Sequence, residues 1–414
     1  MSAALPPLSD AGQTVVIVGA GLAGLRVAES VREAGFPGRV VLVGDEPHAP
    51  YDRPPLSKAV LTNQGHEHRI GLTPPDELVE RGIEIKLGLK AVAIDRAARR
   101  ITLSDREAIG YDRLVIATGS SARILPRLEP DRPRVHYLRG LDDALALRSA
   151  LEPAARVAVI GAGVIGLEVA AAATALGKAV TVIEAGARVM SRAAAAPIGD
   201  FIAGRHREAG VDLRLATTVV DVRDGADALV LTLSDGEAIT CDLVVVGVGV
   251  TPNDALARDS GLDVQPGGIV VDGHGMSSDP AIYAAGEVAV HFNHRHGRHD
   301  RQETWAHAEA HGEHVGRALI QPSDPYAELG SYWTDQYDFT LNVVGEPLGE
   351  IDVVRGDPSE GRFLVFHLVG GEIVGVSAIN AARDLRVAKT LIGAQPARDP
   401  ARLADPMADL KTIL

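Results

Sequence analysis

Two six-residue runs, GAGLAG at Gly19–Gly24 and GAGVIG at Gly161–Gly166, carry residues through which a polypeptide backbone can hold a phosphate. In this spacing the first glycine (Gly19, Gly161) permits a tight turn and the second (Gly21, Gly163) lets a phosphate reach the backbone. The third (Gly24, Gly166) lets helix and strand pack closely, so that the helix N-terminus faces a pyrophosphate. Each run follows an apolar β-type stretch, TVVIV or RVAVI, and opens a helical pattern reaching Ala34 or Leu176. Roughly twenty residues on, an acidic residue ends the next apolar stretch, Asp45 after RVVLV and Glu184 after AVTVI. Both carboxylates are placed to accept hydrogen bonds from ribose hydroxyls. Because a 2′-phosphate would meet like charge at Glu184, the second site is expected to take NADH in preference to NADPH. Arg188 and Arg192, close by, offer the opposite reading as 2′-phosphate ligands, or a plainer one as pyrophosphate or loop charges.

The elements that position these runs are themselves repeated. Gly19, Gly21, Gly24 and Gly35 align without a gap on Gly161, Gly163, Gly166 and Gly177. Further on, LSDREAIGYDRLVIATG (Leu103–Gly119) parallels LSDGEAITCDLVVVGVG (Leu233–Gly249), setting Asp112 on Asp242 and Gly119 on Gly249. Such long-range self-similarity predicts two domains of one architecture, each with a short antiparallel meander such as Ala91–Asp95 with Arg100–Leu103. From about Tyr332 the pattern changes: FTLNVV, IDVV, RFLVFHL and EIVGVSAI read as antiparallel strands, followed by a helix around Ala382–Leu391. The expected fold is α/β, with two Rossmann-like dinucleotide-binding domains plus a C-terminal α+β domain.

Composition narrows the chemistry. The chain has 414 residues, 46% hydrophobic and 23% charged, with 44 glycines, as expected of a multidomain globular protein. Its single cysteine, Cys241, opens the apolar run CDLVVVGVG, which removes both a disulfide framework and a redox-active dithiol. A formal net charge of -14 argues against nucleic acid as a partner. No stretch reaches the roughly 18 apolar residues of a membrane span and MSAALPPLSDAGQ lacks a basic-then-apolar leader pattern, so a cytoplasmic protein without a membrane partner is expected.

The run GDEPHAPYDRPPLSK (Gly44–Lys58) closely resembles the reductase components of bacterial oxygenase systems, the putidaredoxin reductase and biphenyl-dioxygenase ferredoxin reductase family. Further matching stretches are YDRLVIATGS, HYLRGLDDA, GAGVIGLEVAA, GVGVTPN, IYAAGEVA, ETWAHAEAHG and YWTDQY, in order along nearly the whole chain. The resemblance implies a glutathione-reductase-like flavoprotein using FAD and NADH, with electrons passed to a two-iron ferredoxin. It implies an FAD-binding domain in two parts, residues 1–119 and 252–326, around an NAD-binding domain at 120–251, with the C-terminal domain at 327–414. It also implies flavin contacts from Ala23, Asp45, Arg53, Lys58, Val92, Arg139, Glu287 and Trp305, and Thr118, Gly119 and Gly249 are counted with the cofactor-binding positions. Where the family usually has Gly-Asp, this chain has Gly286-Glu287, one methylene longer, so the contact to the ribityl chain requires a shifted backbone. Lys58 and Glu168 match a pair that sits beside the flavin in the look-alike proteins; they are expected to position the nicotinamide and tune charge near flavin N5, or else to form an ordinary interdomain ion pair. A helix expected at Glu303–Leu319 would bring its positive end toward the flavin, with Trp305 covering the ring.

Two histidine-rich stretches complete the inventory. His307, His311 and His314 lack the HExxH zinc arrangement, and no metal site is expected. HFNHRHGRHDR (His291–Arg301) is a basic stretch in an acidic chain and reads as part of a docking patch for an acidic ferredoxin through Arg295, Arg298 and Arg301, or as a solvated loop. Two other functions fit the same scaffold: an NADH reductase for another acceptor such as rubredoxin, and a redox-sensing flavoprotein of the apoptosis-inducing-factor type.

Overall fold

The computed structural model describes residues 5–293, 297–393 and 400–412. The chain divides into two compact units, one of residues 1–52, 68–121 and 250–330, the other of residues 53–67, 122–249 and 331–414.

The first unit is built on a five-stranded parallel sheet in the order Ile282–Ala284, Arg113–Ile116, Thr14–Val18, Arg39–Val43 and Ile83–Lys86. Its central strands, Thr14–Val18 (TVVIV) and Arg39–Val43 (RVVLV), read as near-continuous apolar runs because both faces are covered. Successive side chains alternate between the faces. Val16, Val18, Val41 and Val43 pack on the meander through Ala91, Ile101, Leu103 and Ile109. Val15, Ile17, Val40 and Leu42 pack on helices through Leu25, Val27, Val31, Val315 and Leu319. Those helices are Leu22–Glu33, opened by the first glycine run, and Trp305–Ala318. The second starts two residues later than the sequence pattern suggests, since the Thr304 side chain caps it by accepting from the His307 N–H. The meander is antiparallel: Ala91–Asp95, Arg100–Leu103 and Ala108–Gly110.

The second unit repeats this design with a parallel sheet ordered Asp212–Arg214, Ala179–Ile183, Arg156–Ile160, Leu243–Val246 and Val135–Tyr137. Its meander, Val219–Asp224, Leu229–Leu233 and Ala238–Cys241, covers one face through Val222, Leu229, Leu231 and Leu233. The same unit holds a five-stranded antiparallel sheet, Ser331–Gln336, Phe339–Gly345, Glu372–Ile379, Arg362–Val369 and Ile351–Asp357 in spatial order, followed by the helix Ala382–Ala388. Four of these strands match the sequence expectation. The fifth, Ser331–Gln336, buries polar Thr334 and Gln336, so its inward face carries no apolar alternation. The helix Ala196–Glu208 meets this sheet edge-to-face through Phe201, whose ring lies 5.3 Å from Phe339 and 5.7 Å from Phe363.

Candidate functional site

The two glycine runs have the same local geometry. Gly19 has φ +114° and a Cβ there would fall 2.2 Å from the Ala117 carbonyl oxygen; one at Gly24 would fall 1.8 Å from the Gly19 oxygen. Gly161 has φ +102°, and Cβ atoms at Gly161 and Gly166 would fall 2.4 Å and 2.1 Å from the oxygens of Gly247 and Gly161. These contacts exclude any side chain. At Gly21 and Gly163, by contrast, a Cβ would meet nothing within 4 Å. The middle glycine of each run therefore keeps space open in front of a helix N-terminus that has no side-chain cap and no acidic residue in its first turn. Open backbone at the positive end of a helix fits a dinucleotide pyrophosphate.

Around the first run, Thr118 and Gly119 follow Ala117 and are locked by Asn253, whose N–H donates to the Gly119 oxygen at 2.9 Å and whose side chain donates to the Thr118 oxygen at 3.0 Å. Asp45 is exposed just after Gly44, where a Cβ would lie 2.6 Å from that of Ala20. Gly286 lies over Ala23, since its Cβ would fall 2.6 Å from the Ala23 Cβ, and this places the Gly286-Glu287 turn on the first helix. Trp305 donates from its indole N–H to Asp52 at 2.6 Å. Val92 is 53% exposed on the meander, beside Ala91 of the core. These residues share the first unit; Arg53, Lys58, Arg139, Glu168, Glu184 and Gly249 belong to the second.

Glu184 holds the second loop as well as facing it. Its carboxylate accepts from the Ala162 N–H at 2.7 Å and from the Gly186 N–H at 2.6 Å, so any anionic group arriving there meets a fixed negative charge. Arg188, the candidate counter-charge, donates instead to the Ala194 carbonyl at 3.0 Å, while Arg192 is exposed near Gly249. Arg139 precedes the helix Leu141–Leu151, and its N–H is tied to Asp143 at 2.9 Å.

Lys58 and Glu168 form an ion pair, 3.2 Å from Nζ to Oε1, inside the second unit. Glu168 lies in the helix Val164–Ala175 and is 4% exposed. Burial pushes its carboxyl pKa up, against the opposing pull of Lys58, Ser57 and Thr334. Ser57 donates to Oε2, and Thr334 donates to Oε1 at 2.6 Å. Lys58 has a second carboxylate, Asp335, at 3.6 Å, and lies 5.9 Å from the centre of the Trp333 ring. The donors order themselves in one direction. Since Thr334 gives its proton to Glu168, its oxygen accepts from the Gln336 amide at 3.1 Å; the Gln336 oxygen then accepts from His206 Nε2 at 2.8 Å, and His206 Nδ1 accepts from Tyr337 at 3.0 Å. Burial lowers the His206 pKa and so favours the neutral imidazole, whose Nδ1, with the proton on Nε2, is the acceptor. Ser57, Thr334, Asp335 and His206 were not among the sequence candidates. The only hint was polar residues inside PPLSK and YWTDQY, which a hydropathy pattern treats as surface.

Other candidates resolve differently. Cys241 is 3% exposed and burial pushes its thiol up to about 12, so it is inert as a nucleophile. Arg295 lies outside the described residues. Arg298 pairs with Asp300 at 2.8 Å and keeps an exposed side chain. Arg301 is turned inward and donates to the Glu287 carbonyl at 2.7 Å, to Ser120 at 2.9 Å and to Glu303 at 2.6 Å. It supports the Gly286-Glu287 turn rather than offering a free surface charge. Among the described residues no group of three His, Cys, Asp or Glu side chains is arranged to hold a metal. Ser377, His367 and Asp352 have the spacing of a hydrolase triad, 2.7 Å at each step, but Ser377 and His367 have no exposure and no substrate can reach the hydroxyl.

Residues 13–312 match the family described as pyridine nucleotide-disulphide oxidoreductase, and residues 331–414 match the reductase C-terminal family. The anthranilate 1,2-dioxygenase system ferredoxin–NAD(+) reductase component of Burkholderia cepacia is 43% identical over 401 residues, 96% of this chain and 98% of that protein. Two solved structures are similar in fold and sequence. The ferredoxin reductase for the CYP199A2 system from Rhodopseudomonas palustris has a TM-score of 0.93 at 38% identity, over 96% of this chain and 99% of that one. The putidaredoxin reductase–putidaredoxin covalent complex gives 0.92 at 36% identity, over 98% of each chain.

The glycine geometry separates folding from binding. Gly163→Ala adds a methyl into open space, so thermal unfolding should stay within about 2 °C of the parent while NADH binding weakens roughly tenfold or more. Gly166→Ala forces the helix off the strand and should lower the unfolding midpoint by several degrees, a cost of about 1–3 kcal/mol. Equal losses of NADH affinity and stability in both variants would contradict the assignment.

Proposed function

We propose, from the premise that this chain belongs to the pyridine nucleotide-disulphide oxidoreductase family, that it is an NADH-dependent, FAD-containing ferredoxin reductase serving a bacterial oxygenase through a two-iron ferredoxin. The observation that carries the reading is the pairing of two open dinucleotide loops with a single sealed thiol. Disulphide chemistry needs a reactive dithiol, and a chain whose one cysteine is buried has none. Electrons from the dinucleotide must therefore leave through an acceptor outside the chain. The similarity to oxygenase reductases over nearly the whole length says which kind.

Bound FAD would supply the redox chemistry, accepting one hydride, that is two electrons, from NADH and releasing those electrons singly. The protein's own residues bind and orient. Gly19, Gly21 and Gly24 with the helix from Leu22 take the FAD pyrophosphate, and Asp45 takes its ribose. Thr118, Gly119, Glu287 and Trp305, with Ala23 and Val92, complete the set that the first unit offers FAD, and the family resemblance adds Arg53 and Arg139 to the FAD-binding residues. Gly161, Gly163 and Gly166 take the NADH pyrophosphate and Glu184 its ribose, with Gly249 at the loop edge. Lys58 and Glu168 are the catalytic pair. The carboxylate fixes the ammonium, and the Thr334–Gln336–His206 chain fixes the carboxylate. The domain division at residues 119, 251 and 326 belongs to this reading, as does a cytoplasmic location, where NADH is supplied. Among the described residues no helix is long and apolar enough to cross a membrane. Arg298 is the described arginine of the basic stretch that remains at the surface for an acidic ferredoxin.

The functional test is NADH-driven cytochrome c reduction with and without a two-iron ferredoxin of an oxygenase system. Stimulation of at least tenfold is expected, with a clear preference for NADH over NADPH. A reducible flavin that gives no ferredoxin-dependent rate with any of several ferredoxins would overturn the reading. For the pair, Lys58→Met should slow flavin reduction by NADH about tenfold or more, because an uncompensated Glu168 becomes protonated. The wild-type rate should rise with pH as Glu168 ionises through its raised pKa, and Glu168→Gln should flatten that rise. Folding runs the other way: a carboxyl with a raised folded-state pKa contributes stability in acid and loses it as pH rises through that value. Glu168→Gln should therefore escape that loss. An unchanged pH profile in Glu168→Gln would remove Glu168 from the reaction.

A further inference from the structure

Buried histidines in a flavin-type domain need a physical account. His307 and His311 of the helix Trp305–Ala318 and His291 of the strand Ala289–Asn293 are each no more than 1% exposed. Their rings stack, with His307 centred 4.8 Å from His311 and 5.1 Å from His291. Tyr326 closes the cluster, its hydroxyl 3.2 Å from His307 Nδ1 and its ring 4.9 Å from that of His311. No metal explains the group among the described residues.

One contact leaves the cluster for the cofactor loop. The Gly286 N–H donates to His311 Nδ1 at 3.1 Å, in a fully buried position. Gly286 has φ +73° and packs on Ala23 of the first glycine run; Gly312, next to His311, is so close to that run that a Cβ there would fall 2.5 Å from the Ala23 oxygen. The imidazole thus ties the Gly286-Glu287 turn and the phosphate-loop helix to one rigid helix. A ring nitrogen accepts a hydrogen bond only when it carries no proton. His311 is therefore the Nε2–H tautomer, and its Nε2 has no partner among the described residues.

We propose that His311 is a positioning residue for FAD, acting through the Gly286 N–H, and that the histidine stack makes FAD retention acid-labile. This rests on the flavoprotein reading above. Protonating His311 turns its acceptor into a donor aimed at another donor and puts a cation among rings that, among the described residues, have no carboxylate to receive it. The groups facing it are His307 and His314 on its own helix, His291 on the neighbouring strand and Tyr326 beyond the helix. Glu287 adjoins the turn, and Arg26 of the Leu22–Glu33 helix, near Gly312, is neutralised by Glu29 and Glu309. Burial, followed by the neighbouring imidazoles, holds the His311 pKa well below its ordinary value of 6.5, and His307 is pushed down to about 3. The sign follows: with folded-state values depressed, the stability tied to the neutral stack is complete above 6.5 and is lost as pH falls from there toward about 3.

The experiment compares the wild-type holoprotein with His311→Gln and His311→Leu. FAD dissociation constants are measured at about pH 7.5, and release of fluorescent FAD is followed as pH is lowered, with apoprotein unfolding as a control. Leu leaves the Gly286 N–H buried and unpaired and should weaken FAD roughly 5- to 100-fold. Gln can accept from that N–H without titrating; it should stay within about threefold of wild type near neutrality and release FAD at a lower pH than wild type. A Leu variant that binds FAD as wild type does, or a Gln variant with the wild-type release curve, would overturn the proposal. If Leu does not fold, the Gln release curve decides alone. Ferredoxin-dependent turnover of the wild type tests the functional reading separately, so either can fail without the other.

Discussion

A carboxylate with 4% exposure dominates the second unit. An ionised group there is tolerated only when its oxygens are compensated, and Glu168 draws in Lys58, Ser57 and Thr334 from two distant stretches of chain. Thr334 in turn sets the orientation of Gln336, which sets the tautomer of His206. The polar inner face of the strand Ser331–Gln336 follows from that demand. So does the burial of a histidine under the C-terminal sheet. The antiparallel domain is thereby joined to the second nucleotide-binding sheet by a directed chain of hydrogen bonds as well as by the aromatic contacts of Phe201.

The two glycine loops supply the complementary constraint. Helix and strand come close enough at Gly24 and Gly166 to exclude a methyl group, and that closeness aims two uncapped helix ends at open space. The histidine stack and the Lys58–Glu168 cluster each brace one such unit, the first through a neutral acceptor and the second through a compensated charge. Burial favours the neutral imidazole of His311, whereas at Glu168 it opposes the charge that Lys58, Ser57 and Thr334 favour.

Much of this was legible in the sequence because it follows from local rules. The loops, the strands on either side of them, the meanders and four of the C-terminal strands are written in glycine spacing and β-branched runs. Lys58 and Glu168 were visible only through resemblance, since nothing local marks a lysine and a glutamate far apart in sequence as partners. Thr334, Gln336 and His206 were illegible for a deeper reason: polar residues read as surface until a buried partner is known. Arg301 shows the converse, a cation that reads as a docking charge and in the fold secures the Gly286-Glu287 turn. His311 invites only a metal-ligand reading in sequence, because its contact is to a backbone N–H, which has no sequence signature.

Electrons that enter from NADH as a pair leave one at a time because a two-iron ferredoxin accepts only one, and the single buried cysteine offers no disulphide route beside it. The most direct measurement is an anaerobic stopped-flow experiment in which protein reduced by one equivalent of NADH is mixed with excess oxidised two-iron ferredoxin. The account predicts rapid reoxidation, with about two ferredoxins reduced for each NADH consumed. A flavin that stays reduced for minutes beside the ferredoxin would contradict it.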